Sequence, residues 1–163
     1  MIIVLMGVSG CGKTAVGEIL SGDLSWPFFD ADDYHPVANV EKMRSGHPLT
    51  DEDRWPWLDR LNQLMHELDS QGKSAVLACS ALKQSYRDRI VQGLGDVGWV
   101  HLKGRFELIL SRLATRKHRY MPASLLRSQF DTLEEPSDAL TIDIIDAPEV
   151  LAGRIRAGLG LNH

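Results

Sequence analysis

Gly7-Val-Ser-Gly-Cys-Gly-Lys-Thr14 is the stretch whose reading decides the fold. It fits the pattern G-x-x-x-x-G-K-[ST], follows the apolar run Ile2-Ile-Val-Leu-Met6 and precedes the helix-compatible Ala15-Val-Gly-Glu-Ile-Leu20. Strand, loop and helix in that order separate a phosphate-binding loop from a merely glycine-rich turn. Gly7, Gly10 and Gly12 permit the tight turn in which consecutive N–H groups, including those of Val8, Ser9 and Cys11, face a polyphosphate. A helix starting near Lys13 adds its unsatisfied N-terminal amides and its dipole to the same anion. Lys13 is then placed to reach the β- and γ-phosphates of ATP, and the Thr14 hydroxyl to ligate Mg²⁺.

With 163 residues and 44% hydrophobic composition, the chain is expected to form a single domain over residues 1–163 with an ordinary core. No run approaches the ~20 apolar residues of a membrane span. The apolar N-terminus is too short for a signal sequence and belongs to the phosphate-loop unit, which predicts a cytoplasmic protein with no membrane partner. Cys11 and Cys79 are expected to be free thiols. A net charge of −4 argues against a general nucleic-acid binder. Between His101 and Arg127, however, Lys103, Arg105, Arg112, Arg116, Lys117, Arg119 and Arg127 face the single acid Glu107. Such a segment in an acidic chain predicts a localised anion site.

Apolar, β-branched runs predict strands at 2–6, 27–30, 74–79, 98–103 and 141–145. Helical patterns fill 13–22, 38–45, 52–70, 83–92, 105–117, 122–132 and 147–158. This alternation predicts an α/β fold, a five-stranded parallel sheet covered by helices on both faces. Trp57, Leu61, Leu64, Met65 and Leu68 share one helical face and are expected to be core. Thr50 with Asp53 makes a capping-box pattern, although Pro56 leaves Asp53 as the alternative N-cap. Two excursions interrupt the alternation: residues 31–72, expected to bind an acceptor, and residues 115–123, expected to close as a lid.

Asp30-Ala-Asp-Asp-Tyr-His-Pro36 follows the second strand. Strand alternation points Asp30 and Asp32 to one side, at the carboxyl edge of the sheet where open α/β sheets bind ligands. One carboxylate can hold the water on Mg²⁺ while the other accepts a proton from an attacking hydroxyl. His35 is a candidate hydrogen-bond partner for a polyol. No aspartate follows the third strand, where Cys79-Ser80 stands, so the metal side is assigned to Asp30 or Asp32. Asp143 and Asp146 read as cap or turn residues.

The phosphate loop, DADDYHP, NVEKMRSGHPLTDEDRWPWL, CSALKQSYRD and SQFDTLEEP, in this order, resemble the gluconate kinase family over essentially the whole chain. That resemblance implies a phosphate-loop NTPase fold related to shikimate and nucleoside monophosphate kinases. It implies transfer of the γ-phosphoryl group of ATP to the 6-hydroxyl of D-gluconate, with Mg²⁺, in a homodimer. Carried over by position, Asp32 and His35 face the sugar acid, and Arg54 matches an arginine that clamps the acceptor carboxylate in the related shikimate kinases. Ser80 and Lys83 belong to the CSALK block, and Arg87, one turn on, is expected to face the same cleft.

The lid departs from the family pattern. Arg116-Lys-His-Arg-Tyr-Met-Pro122 carries His118, Arg119 and Tyr120 where relatives commonly have Gly, His and Phe, but it keeps Arg116. The expected catalytic set is therefore Lys13, Asp32 and Arg116. Arg112, one turn before Arg116, is a further candidate for the phosphates, and Thr14 and Asp30 are the candidates for the metal. The residues leave open a shikimate or nucleoside monophosphate kinase of the same fold and a non-catalytic ATP-binding module.

Overall fold

A computed structural model of the chain describes residues 1–115 and 122–161. Five strands, β1 (Ile2–Met6), β2 (Phe28–Asp30), β3 (Ala75–Ala78), β4 (Val97–Lys103) and β5 (Leu140–Asp143), form one parallel sheet in the order β2-β3-β1-β4-β5. Around it lie α1 (Lys13–Leu24), α2 (Val37–Arg44), α3 (Asp51–Ser70), α4 (Gln84–Val91), α5 (Phe106–Ala114), α6 (Ala123–Thr132) and α7 (Pro148–Gly158). The predicted α/β fold and its five strands are observed.

β1 lies at the centre, paired with β3 through Ile3↔Val76 and with β4 through Leu5↔Val100, and all five of its residues are buried. A strand covered on both faces must be apolar throughout, which is why Ile2–Met6 shows no alternation. Its side chains nevertheless part by parity. Ile3 and Leu5 pack with Leu20 of α1, Ile109 of α5 and Ile155 of α7. Ile2, Val4 and Met6 pack with Leu58, Leu61 and Met65 of α3 and Ile90 of α4. The chain leaves β1 toward β2 on one side and reaches β4 on the other, so the loop after β1 sits at the switch point of the sheet, where such folds bind ligands.

Two local expectations are resolved by the structure. The expected Thr50–Asp53 capping box is observed and the alternative N-cap, Asp53, is not: the Thr50 side chain accepts from the Asp53 N–H at 3.1 Å, and the Thr50 N–H donates back to Asp53 at 2.8 Å. Pro56 lies inside the helix, and the N–H it lacks would have bonded the carbonyl of Glu52, an exposed residue that water can reach. The other expectation, for the chain after β2, changes. The strand ends at Asp30 and continues as a 3₁₀ turn over Ala31–Tyr34 that Asp30 caps by accepting the Asp32 N–H. Asp32 therefore reaches the cleft from a turn and not by strand alternation.

Candidate active site

The loop from Gly7 to Gly12 folds as its glycines require. Gly12, the N-cap of α1, has φ 99°, a left-handed conformation that costs an ordinary side chain about 1 kcal/mol or more. A Cβ on Gly7 would stand 2.8 Å from the carbonyl oxygen of Leu102, so β4 approaches this backbone too closely for any side chain. Val8 and Cys11 turn their side chains into the core, 3% and 1% exposed, and can offer a ligand only their backbone. Lys13 folds back over the loop, its Nζ donating to the carbonyls of Gly7 at 2.9 Å and Val8 at 3.1 Å.

Ser9, Gly10, Gly12, Lys13, Thr14, Asp30, Asp32, Cys79 and Ser80 line one cleft. The Gly7 N–H donates to the Ser80 carbonyl at 3.2 Å, which joins the loop to the end of β3. Thr14 Oγ1 donates to Asp30 Oδ2 at 3.3 Å, while Asp30 Oδ1 receives the Asp32 N–H at 3.0 Å. Both Asp30 oxygens are thus engaged, whereas the Asp32 carboxylate makes no hydrogen bond among the described residues. Burial pushes the Cys79 thiol up to about 12, so it lines the cleft as a neutral, unreactive group.

This donor set fits a magnesium nucleotide. Thr14 and Asp30 offer hard oxygens close together, beside an ammonium and a run of loop amides. Mg²⁺ characteristically takes one or two protein oxygens and completes its shell with water and phosphate.

A second group of side chains stands beyond Asp32. His35 stacks on Trp57 with ring centroids 4.0 Å apart and an interplanar angle of 18°. Asn39, 5% exposed, donates through Nδ2 to the Asp53 carbonyl at 2.9 Å and also contacts His35 Nδ1 at 3.3 Å. An amide group donating to a carbonyl is the NH₂, so His35 Nδ1 must accept and the imidazole proton resides on Nε2. Burial lowers the His35 pKa, opposed by Asp32 and aided by Arg54, which keeps the ring neutral at physiological pH. His35 is therefore a fixed Nε2–H donor, suited to a hydroxyl oxygen. Trp57 also donates from Nε1 to the Ala31 carbonyl at 2.7 Å, which holds the turn that carries Asp32. The core role expected of Trp57 is observed, and its support of the site was not legible from periodicity.

Arg54 and Lys83 meet at Asp51. The Asp51 carboxylate lies 3.4 Å from Lys83 Nζ and 4.0 Å from Arg54 Nη1, and it accepts the Tyr86 hydroxyl. That hydroxyl, followed by burial working against it and then the Lys83 charge, sets the Asp51 carboxyl below the usual range. Arg54 is further anchored by the Leu49 carbonyl at 2.7 Å and lies over the Tyr86 ring at 5.3 Å. Asp51 and Tyr86 were not anticipated as site residues. A usable signal existed: Tyr86 is three residues past Lys83 and Asp51 three before Arg54, spacings that share a helix face.

Arg87 does not face the cleft. It is 3% exposed, and its guanidinium donates to the carbonyls of Ala81 (2.7 Å), Leu82 (3.2 Å) and Glu134 (2.8 Å) and to Gln84 Oε1. It supports the turn after β3, where Ala81 is held at φ 45° in the left-handed region. Arg112 likewise is directed elsewhere, donating to the Ile144 carbonyl at 2.8 Å beside the β5–α7 turn. Other cations of the basic segment are also paired locally: Lys103 bonds Glu135 at 2.7 Å and Arg127 covers the Phe106 ring at 3.8 Å. Arg116, His118, Arg119 and Tyr120 lie outside the described residues. Asp143 accepts the Ile145 N–H and Asp146 pairs with Arg154, as turn and cap residues do.

The sequence profile of the Shikimate kinase family matches residues 9–140. A probable gluconokinase of Xenopus tropicalis is 49% identical over 152 residues, covering 84% of this chain and 80% of that protein. The thermosensitive gluconokinase of Escherichia coli K12 is 45% identical over 145 residues, covering 86% and 78%. The crystal structure of a gluconokinase from Sinorhizobium meliloti 1021 superposes with a TM-score of 0.87 at 38% identity, over 97% of this chain and 90% of that one. A phosphate loop, a carboxylate pair at the sheet edge and these relatives agree: the chain belongs to the gluconokinase family, within the wider shikimate kinase group.

Proposed function

We infer that this protein is an ATP-dependent gluconokinase that phosphorylates D-gluconate on its 6-hydroxyl. The observation that carries the reading is the cleft in which Lys13, Thr14, Asp30 and Asp32 converge, next to a neutral His35 donor and the Arg54–Lys83 cation pair. Phosphoryl transfer asks for alignment and charge neutralisation more than covalent chemistry. Lys13 leaves its loop carbonyls to pair with phosphate oxygens. Thr14 and the Asp30 side of the cleft would hold Mg²⁺, which would supply neutralisation of the β- and γ-phosphate charge. Asp32, whose carboxylate has no competing partner among the described residues, accepts the hydroxyl proton as the O6–P bond forms and the bond to the ADP oxygen breaks. His35 holds a second hydroxyl, and Arg54 with Lys83 holds the carboxylate at the far end. A clamped carboxylate lets only one carbon's hydroxyl stand in line with the γ-phosphate.

Residues 1–163 act as one kinase domain in this reading, with 31–72 as the acceptor-binding excursion and 115–123 as a lid whose Arg116 joins the transferring phosphate. Hydrogen exchange over 115–123 is expected to slow when ATP and gluconate bind together, and unchanged exchange would contradict the lid role. An ATP-consuming reaction fits a cytoplasmic protein, and the family resemblance points to a homodimer, which sedimentation equilibrium measures. The deciding experiment is ADP release across gluconate, glucitol, shikimate and AMP. Gluconate alone supports rapid turnover; a preference for shikimate or AMP, or no acceptor-dependent release at all, overturns the assignment.

A further inference from the structure

Gln129 sits 120 residues from Ser9 in sequence yet meets it twice. Gln129 Oε1 accepts the Ser9 backbone N–H at 2.8 Å, and Gln129 Nε2 donates to Ser9 Oγ at 3.0 Å. A backbone N–H can only donate, so the amide oxygen must face it, and the NH₂ must face the hydroxyl. The orientation of the Gln129 side chain is thereby determined by its partners. The helix beneath it is firmly seated: Leu126 is fully buried, and Phe130 packs edge-on against Phe106 of α5 at 5.6 Å. Ser9 lines the same cleft as Lys13, Thr14 and Asp32.

Two consequences follow from this geometry. The Ser9 N–H is withdrawn from the amides available to a phosphate, and the peptide that carries it is fixed in rotation. The Ser9 oxygen, by accepting from Nε2, keeps its own proton uncommitted among the described residues. We propose that Gln129 is a positioning residue that makes the Ser9 hydroxyl a hydrogen-bond donor into the phosphate cleft, directed at the oxygens of the transferring group. No bond to Gln129 forms or breaks. Its effect is to decide which way one O–H points, in a place where donors preorganised toward developing charge count most. The segment does the same service at its other end: the Glu134 N–H donates to the Leu82 carbonyl at 2.8 Å, and Glu134 Oε1 accepts the Gln84 N–H at 2.9 Å at the start of α4. The stretch after the expected lid thus touches both the phosphate loop and the turn that carries Lys83.

The proposal rests on the phosphate-loop reading of the cleft, and its test separates the two. Gln129→Glu conserves shape but replaces the donating NH₂ with an oxygen, which draws the Ser9 proton away from the cleft. Ser9→Ala removes the hydroxyl. Each is expected to lower kcat about tenfold, the worth of one well-placed hydrogen bond, with the KM for gluconate unchanged and the double variant no worse than the weaker single. In ligand-free protein, Gln129→Ala is expected to speed solvent exchange of the Ser9 amide about tenfold while the other α6 amides keep their rates. Effects on kcat that multiply in the double variant would overturn the proposal. So would faster exchange along the whole of α6 with kcat per folded molecule unchanged, which marks a purely structural bond. A rise in the KM for ATP alone would also overturn it. Should wild-type protein fail to phosphorylate gluconate, the gluconokinase reading falls, and the exchange experiment still decides whether Gln129 holds Ser9.

Discussion

The two halves of the cleft are made differently. The phosphate half is mostly backbone: the six loop residues between β1 and α1 and the first two residues of α1 present amides, one ammonium and the hydroxyls of Ser9 and Thr14, all from neighbouring positions. The acceptor half is side chains brought from afar: Asp32 from the turn after β2, His35 leaning on Trp57 of α3, and Arg54 and Lys83 meeting at Asp51 across 32 residues. A polyphosphate is the same in every relative of the fold, and backbone suffices to hold it. A sugar acid has to be told from its analogues, which requires side chains whose positions depend on one another.

The contrast can be broken most severely at the carboxylate between the halves. Asp32→Asn keeps shape but cannot take the proton, and kcat is expected to fall by roughly 10²–10⁴-fold with a much smaller change in the KM for gluconate. If Asp30→Asn proves the more damaging, the metal and base roles are exchanged. On the phosphate side, Lys13→Ala is expected to lower kcat by roughly 10²–10³-fold with an unaltered circular dichroism spectrum, because it removes charge stabilisation made in the transition state. Retention of more than about a tenth of turnover contradicts that role.

On the acceptor side the effects belong in KM. Arg54→Leu is expected to raise the KM for gluconate about 30-fold, near 2 kcal/mol, leaving the KM for ATP almost unmoved. Rejection of glucitol, which lacks the carboxylate, should weaken in parallel. A variant that still excludes glucitol as wild type does would assign the carboxylate to Lys83. Tyr86→Phe removes the hydroxyl from Asp51 and loosens this group, for an expected rise of about fivefold in the same KM. An equal rise in the KM for ATP would show that the two halves are not separable.

The smallest effect is one of pH. His35 and His101 both have pKa values lowered by burial from an ordinary 6.5, so the unfolded chain binds more protons than the fold below that value. Stability is therefore expected to decline as pH drops through about 6.5, and His101→Gln should flatten this decline in a series of melting temperatures. A second loss comes from Asp53, held down to about 2 first by the Lys42 ammonium and then by the Thr50 N–H. Its contribution is complete above the unfolded value of 3.8 and disappears as pH falls through 2. A melting temperature that stays level from neutral pH to about pH 5 would contradict the histidine contribution.

Local pattern was enough for everything that depends on neighbours in the chain. The unbroken apolar run Ile2–Met6 meant a central strand, the octet after it meant a phosphate loop, and the Thr50–Asp53 pair meant a helix start. Each is a property of three to eight consecutive residues, whose backbone conformation their own composition dictates. The placement of Arg87 and Arg112 could not be read this way. Spacing put Arg87 on the same helix as Lys83, but only the folded turn shows three carbonyls, those of Ala81, Leu82 and Glu134, waiting for its guanidinium. A buried cation goes where acceptors leave it fewest unsatisfied donors, and those acceptors come from elements far apart in sequence. Asp51 between two cations, the tautomer of His35 and the hold of Gln129 on Ser9 have the same origin. The sequence by itself determined the fold and the phosphate-binding half; tertiary structure alone decided which of the expected side chains, Arg87 and Arg112 among them, bond to the frame instead of lining the cleft, because that choice is made by long-range hydrogen bonds.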